Sequence, residues 1–118
     1  MAKKIWGQTL SLDLSECAES ILKSKKKLKE FCIELCKLLK MKRFGNPIIK
    51  RFGEGELEGY SAMQFIFTSS ITIHADEYNS RAFIDIFSCK FFDKDKAKEF
   101  CKKFFEAKKV RSKNFYRY

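Results

Sequence analysis

Three kinds of reactive side chain lie close together in the middle of the chain. Hydroxyl groups stand at Ser61, Ser69 and Ser70, the only imidazole stands at His74, and a thiol stands at Cys89. A hydroxyl can act as a nucleophile, an imidazole can carry a proton near neutral pH, and a thiol can donate or accept one. Each residue type is individually more common in a structural role, so the prediction of an enzyme depends on their joint spacing.

The segments that carry these residues alternate between apolar and polar positions, and others repeat at helical spacing. We therefore predict an α+β fold, a two-layer α/β sandwich in which an antiparallel sheet carries two helices packed on one face. The predicted elements are a strand over 5–14, a helix with Ser15 as its N-cap that runs to about Met41, a strand over Ile48–Phe52, a loop over 53–59, one strand from Tyr60 to His74, a strand from Arg81 to Cys89, a helix from about Asp93 to Ala107, and an edge strand over 110–118.

Side-chain alternation also predicts which residues face the helices. In the strand from Tyr60 to His74, the apolar residues occupy odd positions and the even positions are unusually polar. We predict that the odd set faces the helices: Met63, Phe65, Phe67, Ile71 and Ile73. In the next strand the predicted core side carries Ala82, Ile84 and Ile86, and the other side carries Phe83, Asp85, Phe87 and Cys89.

Length and composition narrow the class of protein. The chain has 118 residues, which suits one domain over 1–118. It contains no apolar run near the roughly 20 residues that span a bilayer and no apolar signal segment at its start, so we expect a cytoplasmic protein without a membrane partner. The five cysteines and one histidine lack a zinc-ligand pattern, so no metal is expected. The net charge of +10 lies largely in lysine-rich helical segments without a nucleic-acid-reading motif, so no nucleic-acid partner is expected.

Taken together, the spacing of positions 61, 69, 74 and 89 resembles a known family. Residues 68–78 read Thr-Ser-Ser-Ile-Thr-Ile-His-Ala-Asp-Glu-Tyr, and residues 85–89 read Asp-Ile-Phe-Ser-Cys. These stretches are similar to the Glu-Ser-His-(Ile/Leu)-(Ser/Thr)-Ile-His-Thr-Trp-Pro-Glu and Asp-(Ile/Val)-Phe-Thr-Cys segments of the small prokaryotic S-adenosylmethionine decarboxylases, pyruvoyl enzymes of polyamine synthesis. The opening Gly7-x-x-Leu-x-Leu-Asp13 resembles the first strand of that family, so the resemblance covers nearly the whole chain.

The resemblance implies a proenzyme that processes itself. The Ser69 hydroxyl would attack the carbonyl carbon of Thr68, and elimination and hydrolysis would leave one chain of residues 1–68 and a second of residues 69–118. The second chain would begin with a pyruvoyl group made from Ser69, a covalent cofactor that forms a Schiff base with the substrate amine and accepts electrons as CO₂ leaves. By the same resemblance His74 and Ser61 assist processing, with His74 as proton acceptor, and Cys89 returns a proton to the substrate.

This mechanism places a demand on the backbone. Ser69 and His74 are five positions apart, so one unbroken strand would direct their side chains to opposite faces. The mechanism therefore requires a turn, a bulge or a strained peptide near residues 68–70. The family resemblance further implies a homodimer that pairs through its sheets, with the active sites at the interface.

Several positions depart from the family pattern. Thr68 stands in place of a glutamate, Ser70 stands in place of a histidine and is a rival nucleophile, and Tyr78 stands where a ribose-binding glutamate is expected, with Glu77 beside it. These departures leave open an uncleaved, non-catalytic homologue that acts as a binding or regulatory partner.

The substrate is a small molecule, and two classes remain open. S-adenosylmethionine is the family's substrate, and Phe52 is the aromatic residue nearest to the place where one stacks on adenine. L-Arginine or L-ornithine would need a carboxylate for the distal cation, for which Asp76, Glu77 and the acidic loop at 54–58 are candidates. The predicted substrate-binding residues are therefore Phe52, Asp76 and Glu77.

Overall fold

The computed structural model describes residues 4–118, which form an antiparallel six-stranded sheet with helices packed on one face. The strands lie in the order β2-β3-β4-β5-β1-β6 across the sheet. The predicted α+β sandwich is confirmed, with three helices rather than two, one of them a single turn. The elements are β1 (Gly7–Ser15), α1 (Glu19–Leu22), α2 (Lys25–Leu38), β2 (Ile48–Phe52), a 3₁₀ turn (Gly55–Leu57), β3 (Gly59–Ile66), β4 (Ser69–Asp76), β5 (Arg81–Ser88), α3 (Lys94–Phe104) and β6 (Lys109–Arg117).

The first helical region begins later than the sequence predicts. Ser15 is the last residue of β1, where it pairs with Lys109 of β6, so it does not cap a helix. The N-cap of α2 is Ser24, whose side chain accepts a hydrogen bond from the Lys27 backbone N–H at 3.1 Å. Both serines suit a cap by type. Ser15 is held in the sheet by its pairing with β6, an edge strand that is distant in sequence, so Ser24 caps the helix instead.

The predicted strand from Tyr60 to His74 is wrong as a single element. It is a hairpin of β3 and β4, in which Ile66 pairs with Ser69 and only Phe67 and Thr68 form the turn. The register pairs odd positions of β4 with even positions of β3, and paired side chains share a face. Ile71 and Ile73 are therefore buried as predicted.

The same register reverses the prediction for the first arm of the hairpin. Ala62, Gln64 and Ile66 of β3 point into the core. The positions predicted to be buried are instead exposed, at Met63, Phe65 and Phe67. We call the surface opposite the helices the open face; besides apolar residues of β2 and β3, it carries Ser61 and His74.

The second half of the chain follows the prediction closely. Ala82, Ile84 and Ile86 of β5 lie in the core, and the C-terminal segment forms edge strand β6 beside β1. Helix α3 begins after Asp93, whose side chain caps it through two backbone N–H groups, and it buries Ala97 and Cys101. Within residues 4–118, no helix combines the length and the apolar character needed to cross a bilayer.

The helical layer packs around one aromatic side chain. Phe31 of α2 is fully buried, and its ring lies 5.8 Å from that of Phe100, 5.2 Å from that of Phe104 and 4.9 Å from that of Phe105. These contacts join α2 to α3 and keep both helices on the sheet. The cluster thereby supports the strands that carry the reactive residues.

We predict that Phe31→Ala lowers the free energy of unfolding by about 3–5 kcal/mol, because it leaves a cavity at the helix–helix contact. Urea denaturation followed by circular dichroism measures the loss. Phe91→Ala is the matched control, since Phe91 is largely exposed and its removal costs about 0.5 kcal/mol or less. Equal losses for the two variants would contradict this account of the core.

Candidate active site

The turn of the β3–β4 hairpin meets the end of β5 and brings three predicted residues together. Thr68 Oγ1 lies 2.7 Å from Cys89 Sγ, and the Cys89 backbone N–H donates to Ser69 Oγ at 2.8 Å. We call Thr68, Ser69 and Cys89 the turn cluster. It joins the peptide bond predicted to be cleaved to the thiol predicted to donate a proton.

Thr68 holds a backbone conformation that its side chain disfavours. Its φ is +61°, in the left-handed region where a β-branched residue is a conformational outlier. Strain of this kind costs on the order of 1–3 kcal/mol and persists only where the surroundings enforce it. A turn with a strained residue therefore lies within the expected region, and Thr68 directly precedes Ser69. Strand β4 is nevertheless unbroken from Ser69 to Asp76, so the Ser69 and His74 side chains still point to opposite faces of the sheet.

Close packing also holds the end of β5 in place. Gly7 at the start of β1 lies against this end: a Cβ atom there would be 2.3 Å from the Ser88 carbonyl oxygen and 3.2 Å from Cys89 Cα. Any larger residue would push β1 away from β5 at the turn cluster. A glycine at this position therefore lets the Cys89 backbone reach Ser69.

A second pair of predicted residues lies elsewhere on the hairpin. Ser61 and His74 are cross-strand partners in β3 and β4, and Ser61 Oγ is 2.8 Å from His74 Nδ1. The His74 ring is nearly parallel to that of Phe83, at 6.5 Å between centroids and 15° between planes. The hydrogen bond occupies Nδ1, so proton transfer to another group would use Nε2.

One chain does not bring the two groups together. Ser69 and His74 stand five positions apart on the continuous strand β4, which at about 3.4 Å per residue separates them by about 17 Å. Ser70, the rival hydroxyl, is the next residue along β4 and pairs with Phe65 and Phe87. Since side chains alternate, Ser70 points away from Ser69 and toward the open face.

The environment of Cys89 differs from that of the other four cysteines. The Thr68 hydroxyl lowers the pKa of Cys89 against the opposing effect of partial burial, and the Ser69 hydroxyl and the Lys90 charge act in the same direction as Thr68. Burial raises the pKa of the other thiols, to about 11 for Cys17 and Cys36 and about 12 for Cys32, and it also raises the pKa of Cys101.

The three residues predicted to bind substrate lie at the other end of the hairpin. Phe52 is exposed at the end of β2 and lines a shallow groove of about 310 Å³ on the open face, together with Ile48, Lys50, Ser61 and Met63. This groove is mostly apolar and reaches the Ser61 hydroxyl. Phe52 therefore shares a surface with the Ser61–His74 pair.

The two predicted carboxylates are already paired with arginines. Asp76 accepts from Arg81 at 2.6 Å and from the Asn79 amide at 3.1 Å. Partial burial raises the pKa of Asp76, but the bonds from Arg81 and Asn79 outweigh that effect and leave it below its usual value. This carboxylate is thus ionised at neutral pH and held by its own chain.

Arg51 was not among the residues that the sequence singled out. Its guanidinium binds both Glu77 oxygens, at 2.6 and 3.0 Å, and one oxygen of Glu58 at 2.9 Å. The side chain of Glu77 is only 7% exposed. No sequence signal identifies this clamp, because Glu58, Arg51 and Glu77 come from three separate segments.

We predict that iodoacetamide at pH 8 alkylates Cys89 before any other cysteine. The other four thiols are buried and their pKa values are raised, so their thiolate fractions are very small. Intact mass should show one fast adduct, which peptide mapping assigns. Cys89→Ser should remove that adduct, and alkylation of the unsubstituted protein in urea should give five adducts in total, counted over all of its polypeptide pieces. A first adduct on Cys17 or Cys36 would contradict the structure.

Comparisons with known proteins identify the family of the chain and a similar fold. Residues 8–118 match the family model described as S-adenosylmethionine decarboxylase. The fold is similar to the crystal structure of the adenosylmethionine decarboxylase from Aquifex aeolicus VF5, with a TM-score of 0.83, 16% identity, and coverage of 98% of this chain and 92% of that one. No curated protein matches the chain. The match to the family model spans nearly the whole sequence, and the chain belongs to the S-adenosylmethionine decarboxylase family.

Proposed function

We propose that this chain is a proenzyme that cleaves itself between Thr68 and Ser69 and then decarboxylates S-adenosylmethionine with a pyruvoyl group derived from Ser69. The observation that carries the proposal is the turn cluster, in which a strained Thr68 precedes Ser69 and Cys89 contacts both residues. A pyruvoyl carbonyl supplies an electron sink for the loss of a carboxylate as CO₂. Ser69 fits the formation of this group, because it lies directly after the ordered turn and its own atoms would become the pyruvoyl group.

The first step uses the strained peptide. Ser69 Oγ attacks the Thr68 carbonyl carbon, the C–N bond breaks as nitrogen takes up a proton, and an ester replaces the amide. The Cys89 backbone N–H fixes the Ser69 side chain through its bond to Oγ. Release of the left-handed conformation at Thr68 favours this rearrangement.

The second step needs a base. Removal of the Ser69 Cα proton expels the Thr68 carboxylate, and the dehydroalanine that remains becomes an imine, which water hydrolyses to the ketone with release of ammonia. His74 is the proposed proton acceptor, held through Nδ1 by Ser61. In the mature enzyme Cys89 is the proposed proton donor to the substrate α-carbon.

The distance of about 17 Å between Ser69 and His74 supports a site shared by two protomers. Stacking the open faces of two copies would bring His74 and Ser61 of one chain toward the hairpin turn of the other, on the side of β4 opposite the Ser69 side chain. That face also exposes apolar side chains that a partner would cover, at Ile48, Phe52, Met63, Phe65 and Phe115. Exposed apolar patches of this kind mark interaction surfaces.

The pairing of the candidate carboxylates favours S-adenosylmethionine over a basic amino acid. Arg51 neutralises Glu77 and Glu58, and Arg81 neutralises Asp76, so these carboxylates are poor partners for a guanidinium or ammonium group. The exposed Phe52 ring offers an apolar surface to a nucleobase. CO₂ release measured side by side with S-adenosylmethionine, arginine and ornithine tests this choice.

We predict that the purified chain splits into residues 1–68 and 69–118, the second blocked to Edman sequencing. Ser69→Ala should abolish both splitting and turnover, and Cys89→Ala should allow splitting but lower CO₂ release by at least about 100-fold, the usual contribution of a proton-transfer group. Ser70→Ala is the matched control and should still split, because its side chain faces the other way. A chain that turns over substrate while intact and free of a ketone contradicts the proposal.

We further predict complementation between protomers. Two differently tagged chains, one with Ser69→Ala and one with His74→Ala, are expressed together and purified as a pair. The chain with His74→Ala should split, because its partner supplies the imidazole, whereas the same chain expressed alone should split at least about 100-fold more slowly. The absence of rescue in the purified pair would show that a shared site is wrong.

A further inference from the structure

The Thr68 hydroxyl connects the Cys89 thiol to a backbone carbonyl. Thr68 Oγ1 lies 2.7 Å from Cys89 Sγ and 2.8 Å from the Phe67 carbonyl oxygen. A hydroxyl has one proton to donate and lone pairs to accept with. While Cys89 is a thiol, S–H donates to Oγ1 and the Thr68 hydroxyl donates to Phe67. After the sulfur loses its proton, the hydroxyl can rotate and donate to the thiolate.

We propose that Thr68 is a positioning residue for Cys89: its hydroxyl orients the thiol proton and then stabilises the sulfur anion that remains after proton transfer. This inference rests on the proposed function, in which Cys89 protonates the substrate. The proton moves from sulfur to the substrate carbon, and the electron pair of the S–H bond stays on sulfur. A hydrogen bond to an ionised group is stronger than a neutral one, so Thr68 favours the step.

The surroundings agree with this role. The Thr68 hydroxyl is the main cause of the lowered pKa of Cys89, and the charged group that adds to its effect is Lys90, the next residue along the chain. The hairpin contributes two further polar groups, the Ser69 hydroxyl and the Phe67 carbonyl, which lies 3.9 Å from Sγ. Within residues 4–118, no acidic side chain contributes to the pKa shift of Cys89.

The Thr68 hydroxyl would stay near Cys89 after self-cleavage, although the cut frees the Thr68 backbone from its left-handed conformation and leaves a carboxylate on that residue. Thr68 is the last residue of the proposed fragment 1–68, and the adjoining strand β3 stays paired with both β2 and β4. Its hydroxyl is not consumed by any step of the proposed cleavage. The same group can therefore act on Cys89 in the mature enzyme.

The test measures the titration of Cys89 in a chain that cannot split. Every variant carries Ser69→Ala, and the rate of alkylation by iodoacetamide is recorded from pH 6 to pH 10. Thr68→Val keeps the branched shape without the hydroxyl, Thr68→Ala removes both, and Thr68→Ser keeps the hydroxyl. We expect Thr68→Val and Thr68→Ala to slow alkylation at pH 7.5 by about fivefold or more and to move the titration to higher pH, with Thr68→Ser close to the parent.

The inference is overturned if the hydroxyl-free variants titrate like the parent, or if Thr68→Ser titrates like Thr68→Val. A misfolded variant reveals itself by fast labelling of more than one cysteine, and Thr68→Ala then replaces Thr68→Val in the comparison. The readout needs neither splitting nor turnover. A failure of the proposed function appears separately, as an intact mass for the unsubstituted chain.

Discussion

The arrangement of the site depends on one tight reversal of the chain, the turn at Phe67 and Thr68. Because only two residues separate β3 from β4, Ile66 must pair with Ser69, and the same register places Ser61 opposite His74. The turn also places Thr68 in a left-handed conformation beside the end of β5. A turn longer by one residue would change the register, separate Ser61 from His74, and move Ser69 away from Cys89.

The turn cluster and the Ser61–His74 pair lie apart on the sheet, and this separation suggests a role for the open face. The proposed nucleophile Ser69 and the Cys89 thiol lie at the hairpin turn, whereas the His74 imidazole and the groove lie toward the other end of the same strands. A monomer would hold two incomplete halves and an uncovered apolar surface. Two copies related by a two-fold axis would complete two sites and cover that surface at once.

Sequence patterns predicted the fold class and most of the strands and helices, but not the β3–β4 hairpin. The alternation in β5 predicted Ala82, Ile84 and Ile86 correctly, because both neighbouring strands preserve it. Neither Phe67 nor Thr68 is of a residue type that is common in turns, so the pattern over 60–74 predicts one strand. Because the chain reverses there, that prediction places the side chains of β3 on the wrong face of the sheet. The Ser61–His74 bond and the Arg51 clamp depend on register between distant segments, which alternation within a segment does not reveal. The proposed reactive positions come from the family resemblance rather than from periodicity.

The cut proposed at Thr68–Ser69 would fall between β3 and β4, two strands that stay paired by backbone hydrogen bonds. Each piece contributes central strands to a single sheet, with β3 on one and β4 on the other, so a nick there releases nothing while the domain stays folded. Refolding after cleavage would differ from the first folding of the intact chain. A chain that must find its own hairpin closes a short loop, but two severed pieces must meet by diffusion, at a rate that depends on concentration. Folding therefore has to precede scission, and unfolding a matured molecule at high dilution should be a one-way event.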